Sequence, residues 1–193
     1  TGHFSGVWRG LAERLGLTVD YVPGDWRRGA SPAELEARLQ ADAAAAIRVV
    51  VVVHNETSDG VTSRIAELRR AMSRVGHPAL LVVDAISSLG SIEYRHDEWE
   101  VDVTVCGSQK GLMLPPGLGF NALSAKAIAA HAGARLPRAY WNWSDILDAN
   151  RAGFFPYTPS TNLLYGLRES LRLLAEEGLP NVLRRHARHA AAT

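Results

Sequence analysis

Val101-Asp102-Val103-Thr104-Val105-Cys106-Gly107-Ser108-Gln109-Lys110-Gly111-Leu112 is an apolar, β-branched run that breaks into a short polar loop between glycines. The same grammar occurs twice upstream. Val49 to Val53 runs into His54-Asn55-Glu56-Thr57-Ser58-Asp59-Gly60, and Leu80 to Val83 runs into Asp84-Ala85-Ile86-Ser87-Ser88. Continuous β-branched runs are expected of strands covered on both faces. Between the first two lies a helical stripe, Ile65, Leu68, Met72 and Val75, which stops at Gly76-His77-Pro78. Strands alternating with helices predict an α/β fold with a mainly parallel sheet and helices on both faces.

The pattern extends outward. Val7, Leu11 and Leu15 recur at helical spacing, and Ser31-Pro32-Ala33-Glu34 is a capping box that opens a short helix carrying Leu35 and Leu39. Gly119 to Leu123 reads as a fourth strand. Leu136 to Thr161 has no clean period, three prolines and a cluster of aromatics, and reads as a long excursion with a short helix near Asp145. Two helices follow, over 162–177 and from Asn181 onward.

Composition narrows the class. The 193 residues are 47% hydrophobic and 21% charged with a net charge of +1, which suits one large core and gives no electrostatic reason to expect nucleic acid or an acidic membrane. No apolar run approaches the roughly 18 residues of a membrane span. The single Cys106 excludes an internal disulfide and fits a reducing, cytoplasmic setting. The chain opens almost at once on a helical pattern and ends inside one, so it reads as part of a longer protein.

In an open α/β sheet, ligands sit at the carboxyl ends of the parallel strands, which selects the polar loops as candidates. Only two of the 21 basic residues are lysines, and Lys110 is one of them. Arginine keeps its proton in a protein, whereas lysine can become a neutral amine and form a Schiff base; the structural alternative is that Lys110 merely caps the strand end. Asp84 ends an apolar strand, so its carboxylate should be partly buried and in need of a cationic partner. A strand-end lysine with such an acid is what pyridoxal phosphate (PLP) chemistry requires: an anchor for the aldehyde and a partner for the ring nitrogen. Thr57 or Ser58 could bond the ring's phenolic oxygen or, equally, cap a helix. Ile86 could pack on a ring face or simply fill the core.

The runs HNETSDGVTS, LLVVDAISSLGSIEYRHDEW, VDVTVCGSQKGLMLPPGLGFNALS and YTPSTNLLYGLRESL resemble class V PLP-dependent aminotransferases, in the serine–glyoxylate and alanine–glyoxylate branch, across essentially the whole chain. The resemblance implies the large domain of a fold type I PLP-dependent transferase, working as a homodimer with active sites at the interface. It implies transamination of serine or alanine with glyoxylate as acceptor. It assigns Lys110 as the Schiff-base lysine, Asp84 to the ring nitrogen, Gln109 to the cofactor phosphate and Thr57 to the ring hydroxyl. Ile86 would lie against one ring face and Phe4 against the other, where relatives often carry Trp. Thr158 would reach the phosphate of the neighbouring subunit, and Phe155 stands where relatives often have Tyr. Residues 1–178 would form a partial large domain lacking the glycine-rich phosphate segment, and residues 179–193 would begin a linker helix to a smaller domain. The substrate-carboxylate arginine is expected beyond Thr193.

Rival motifs are weaker. His96-Asp97-Glu98 with His54 and Glu56 lacks zinc-motif spacing, with Trp99 expected to pack beneath that loop, and no metal is expected. The basic run from Arg184 to His189 spreads around a helix as a solvated face. Gly107 and Gly111 do not make a P-loop. Cys106 is expected at a buried strand end without a neighbouring base. A desulfurase or other class V lyase would need a cysteine on a mobile loop, and a third reading is a non-catalytic fragment or degenerate paralogue of the fold.

Overall fold

The computed structural model describes residues 1–193, and its centre is a sheet in which three parallel strands carry their polar loops at one end. β1 (Val49–Val53), β4 (Leu80–Asp84) and β5 (Val103–Gly107) are parallel neighbours, and β6 (Gly119–Leu123) closes the order β1-β4-β5-β6 antiparallel to β5. The register sets Val53 beside Asp84 and Asp84 beside Val105, so β1 and β4 end level and β5 runs two residues further, to Gly107. A separate small hairpin, β2 (Asn55–Glu56) with β3 (Val61–Thr62), follows β1 directly.

Helices α1 (Gly2–Arg14), α2 (Pro32–Ala41), α3 (Ile65–Val75), α4 (Ala125–Ala132), α5 (Trp143–Arg151), α6 (Thr161–Glu177) and α7 (Leu179–Ala192) complete the chain. The Ser31 hydroxyl accepts the Glu34 N–H at 3.3 Å, so the capping box opens α2 as expected. Gly76 ends α3 in the left-handed conformation at φ 68°, where a Cβ would be strained. The α3 stripe packs with Leu39 of α2 against Val52, Leu81 and Val83, forming the main core. Trp99 and Tyr94 lie along its edge.

Two expectations needed correction. β5 begins at Val103 instead of Val101, because the Leu81 N–H bonds the Asp102 side chain at 2.8 Å instead of a ladder carbonyl. Buried Asp102 also accepts the Ser124 hydroxyl at 2.8 Å, tying the start of β5 to the cap of α4. β1 is not covered on both faces: it is an edge strand, and Val49 and Val51 are exposed. The helical spacing of Val7, Leu11 and Leu15 falls on α1 and its C-cap as expected, and all three are exposed, because α1 packs on the strand-end hairpin through its first turns and not along this stripe. No helix is long and apolar enough to cross a membrane.

Candidate active site

The loops after β1, β4 and β5 are stitched together at the carboxyl end of the sheet. The His54 N–H donates to the Asp84 carbonyl at 2.9 Å, and the Ser87 hydroxyl donates to the Asn55 carbonyl at 2.6 Å. The Ala85 N–H donates to the Val105 carbonyl at 2.8 Å. The loops after β4 and β5 also meet backbone to backbone: a Cβ on Gly111 would stand 2.2 Å from the Leu89 carbonyl oxygen. Only glycine permits this approach, which fixes the loop bearing Lys110 against the loop that follows Asp84.

Ser108 holds the other side of that loop. It is fully buried; its hydroxyl donates to the Pro115 carbonyl at 2.8 Å and accepts the Leu118 N–H at 3.2 Å. Gln109 and Lys110 then turn outward and are exposed. The Lys110 carbonyl accepts the Met113 N–H at 2.8 Å, whereas its ammonium has no hydrogen-bond or ion-pair partner. The second lysine is engaged: Lys126 Nζ donates to the Ala79 carbonyl at 2.8 Å and lies 3.8 Å from Asp102. Gln109 folds back over Gly107, whose Cβ would lie 2.7 Å from Gln109 Oε1.

Asp84 is 6% exposed, so its carboxylate is buried as expected, but its partners are not cationic. Trp8 Nε1 donates to Oδ2 at 2.7 Å and the Ile86 N–H donates to Oδ1 at 2.9 Å. Ile86 itself is half-buried just past the strand end. The carboxylate also helps to keep the neighbouring thiol neutral. Burial pushes the Cys106 thiol up to about 11, eased by its bond to the Gly107 carbonyl and reinforced by the Asp84 charge.

Helix α1 is aimed at this point by Glu56. That buried carboxylate accepts the Phe4 and Ser5 N–H groups, each at 3.2 Å, where the first turn has no intrahelical acceptors. Burial alone would raise its pKa, yet bonds from the Ser58 hydroxyl and from the Phe4, Ser58 and Ser5 N–H groups outweigh it and the net shift is downward. Ser58 accepts the His3 N–H at 2.9 Å, so it caps α1 and not the following helix. Gly2 passes so close that a Cβ would sit 2.2 Å from Glu56 Cγ. Phe4 and Trp8, one turn apart, therefore share the helix face toward Asp84. Thr57 lies exposed in the hairpin turn with no partner for its hydroxyl.

His54 and Glu56 face different ways. The His54 ring packs against both Tyr94 and Trp99, with centroids at 5.3 and 5.9 Å, and those two rings touch each other at 5.5 Å; its Nδ1 meets the Ser88 hydroxyl at 2.9 Å. Burial lowers its pKa to about 4. His96 is bound to the Thr104 hydroxyl at 2.7 Å.

The Phe4, Thr57, Asp84, Ile86, Gln109 and Lys110 positions thus gather around one end of the sheet. Thr158 and Phe155 do not join them; both are exposed on the segment between α5 and α6. Sequence reasoning missed Trp8, Ser108 and the capping role of Glu56. The spacing of Phe4 and Trp8 was the available signal for the first.

The Aminotransferase class-V family profile matches residues 1–193. The chain belongs to that family. It is 51% identical to a serine–glyoxylate aminotransferase of Methylorubrum extorquens, covering all of this chain and 49% of the relative. It is 46% identical to an L-aspartate–glyoxylate aminotransferase of Paracoccus denitrificans over 98% of the chain and 48% of that protein. The crystal structure of a ureidoglycine–glyoxylate aminotransferase from Bacillus subtilis superposes with a TM-score of 0.86 at 29% identity, covering 99% of this chain and 49% of that one. The architecture is that of the fold type I PLP-dependent aminotransferases. The chain spans about half the length of the curated relatives it matches.

Proposed function

We propose that this chain is the cofactor-anchoring part of a PLP-dependent aminotransferase that moves an amino group from a small amino acid, serine or alanine, to glyoxylate. The observation that carries the reading is a buried carboxylate, Asp84, met only by neutral N–H donors, at the same end of the sheet as a lysine whose amine has no partner. A buried anion without a cation is costly, so the site suits a cationic ligand group, as a protonated pyridine nitrogen would be. The free hydroxyl of Thr57 and the side-chain amide of Gln109 fit the remaining polar edges of PLP, as a ring hydroxyl and a phosphate respectively.

When bound, PLP supplies an electron-withdrawing ring that acidifies the Cα–H of an attached amino acid. Asp84 would meet the ring nitrogen and favour its protonated form. Lys110 Nζ would hold the cofactor through its aldehyde carbon. With PLP bound, the Lys110 amine would be the group placed to take the donor's Cα proton and hand it back, the proton transfer that a transamination to glyoxylate needs. Phe4 and Ile86 would flank the ring and exclude water from it. Glyoxylate appears in the names of the relatives above, whereas the donor differs among them; serine is preferred here on the 51% relative.

Residues 1–178 are read as part of the large domain and 179–193, which carry α7, as the lead into a smaller one. The exposed Trp141, Phe154 and Phe155 favour a homodimer in which this segment is covered and Thr158 reaches the partner's phosphate. The lone free thiol supports a cytoplasmic setting. A desulfurase reaction is disfavoured by the burial of Cys106 within the sheet.

The test uses the full-length protein that carries this chain. After incubation with PLP and borohydride reduction, peptide mapping should find the label on Lys110 and none on Lys126. Lys110→Ala should abolish both the label and serine–glyoxylate turnover. Label on another lysine, or turnover surviving in Lys110→Ala, would sink the proposal.

A further inference from the structure

Trp8 is the only side chain that donates to the Asp84 carboxylate, at 2.7 Å. The torsion that orients an aspartate carboxylate is broad, so one backbone contact leaves its plane free to swing. Two donors, Trp8 Nε1 on Oδ2 and the Ile86 N–H on Oδ1, fix that plane. Each oxygen keeps a second acceptor position. An indole N–H is a donor with neither charge nor acceptor capacity. It therefore leaves the carboxylate's charge uncancelled, where an arginine or lysine at the same place would neutralise it.

The helix bearing Trp8 is itself built to hold this aim. Glu56 takes the Phe4 and Ser5 N–H groups, and Gly2, at φ 76°, admits the carboxylate where a Cβ would collide. A shift of α1 would break these contacts and the Trp8 bond together. We propose that Trp8 is a positioning residue for the cofactor ring nitrogen, acting through Asp84; this rests on the PLP reading above. The cofactor's grip on its ring nitrogen then depends on a residue that need not touch the cofactor.

The test compares the full-length wild type, Trp8→Phe and Trp8→Gln. Phenylalanine keeps an aromatic ring and removes the N–H; glutamine carries an N–H the same number of bonds from Cα. Affinity is measured for PLP and for its carbocyclic analogue with C–H in place of the ring nitrogen. Trp8→Phe should weaken PLP about tenfold or more, the scale of a hydrogen bond to a charged group, while changing analogue affinity less than about twofold. Trp8→Gln should recover most of the loss. Equal losses for both ligands would reduce Trp8 to packing, and no loss would also overturn the role. Should Trp8→Phe fail to fold, the ¹⁵N-indole resonance of Trp8 in the wild type decides: it should move with PLP and stay with the analogue, and equal movement refutes the inference. A wild type that forms no borohydride-reducible lysine link removes the PLP reading, and Trp8's role with it. A wild type that links PLP normally while Trp8→Phe behaves alike toward both ligands overturns the Trp8 role alone.

Discussion

Gly111→Ala tests whether the active-site loop is held by backbone contact. The added Cβ would stand 2.2 Å from the Leu89 carbonyl oxygen and 2.8 Å from Ser91 Oγ. That is about 1 Å short of an ordinary carbon–oxygen approach. The serine hydroxyl can rotate away, but the carbonyl cannot. Its loop is fixed by the Leu89 N–H on the Ala85 carbonyl at 2.9 Å and by the Ser91 and Ile92 N–H groups on the Ser88 carbonyl at 2.9 and 2.8 Å. The displacement must therefore fall largely on the Lys110 side. Misplacing a reacting group by about 1 Å can cost about a hundredfold in rate, and overpacking of this kind costs about 1–3 kcal/mol of stability. In the full-length enzyme, kcat/KM for serine and glyoxylate should fall on the order of a hundredfold, with PLP still reducible onto Lys110. Gly119→Ala, where nothing lies within 4 Å of the new Cβ, serves as the control and should stay within about 1 kcal/mol of wild type. Gly111→Ala with turnover and melting temperature like the control's would refute the claim that this contact sets the position of Lys110.

The buried His54 predicts an acid-sensitive contribution to stability. Its imidazole titrates near 6.5 when unfolded and at about 4 when folded, because burial disfavours the charged ring. Between those values the unfolded chain holds more protons, so the contribution is complete above about pH 6.5 and is lost as pH falls toward about 4, amounting to about 3 kcal/mol. Urea denaturation of wild type and His54→Asn should show a stability gap that narrows by that order across the window, and a gap that stays constant with pH contradicts it. Cys106, with its thiol pushed up to about 11 and its side chain buried, should resist alkylation in the native protein at about pH 8 and react fully in denaturant. Rapid native labelling would show that the end of β5 is open to solvent.

Element type was legible wherever a local pattern was unambiguous. The β-branched runs, the Ser31 capping box and the stop at Gly76 each rest on a few neighbouring residues, and the structure follows them. Boundaries failed where a distant side chain replaced a backbone partner, as Asp102 does at the start of β5. Burial was not legible for Val7, Leu11 and Leu15, which are exposed, because helical spacing says which residues share a face and not whether anything covers it.

The candidate site divides the same way. By itself, the sequence determined the α/β class, the strand-end placement of Asp84 and Lys110, and the residue types that suit a covalent cofactor, because these follow from periodicity and side-chain chemistry along the chain. Only the tertiary structure decided what Asp84 touches. The expected cation is replaced by an indole 76 positions away in the chain, delivered by a helix that Glu56 caps across 52 positions. Such pairings depend on how strand ends and helix starts converge in space, and no local pattern encodes that convergence.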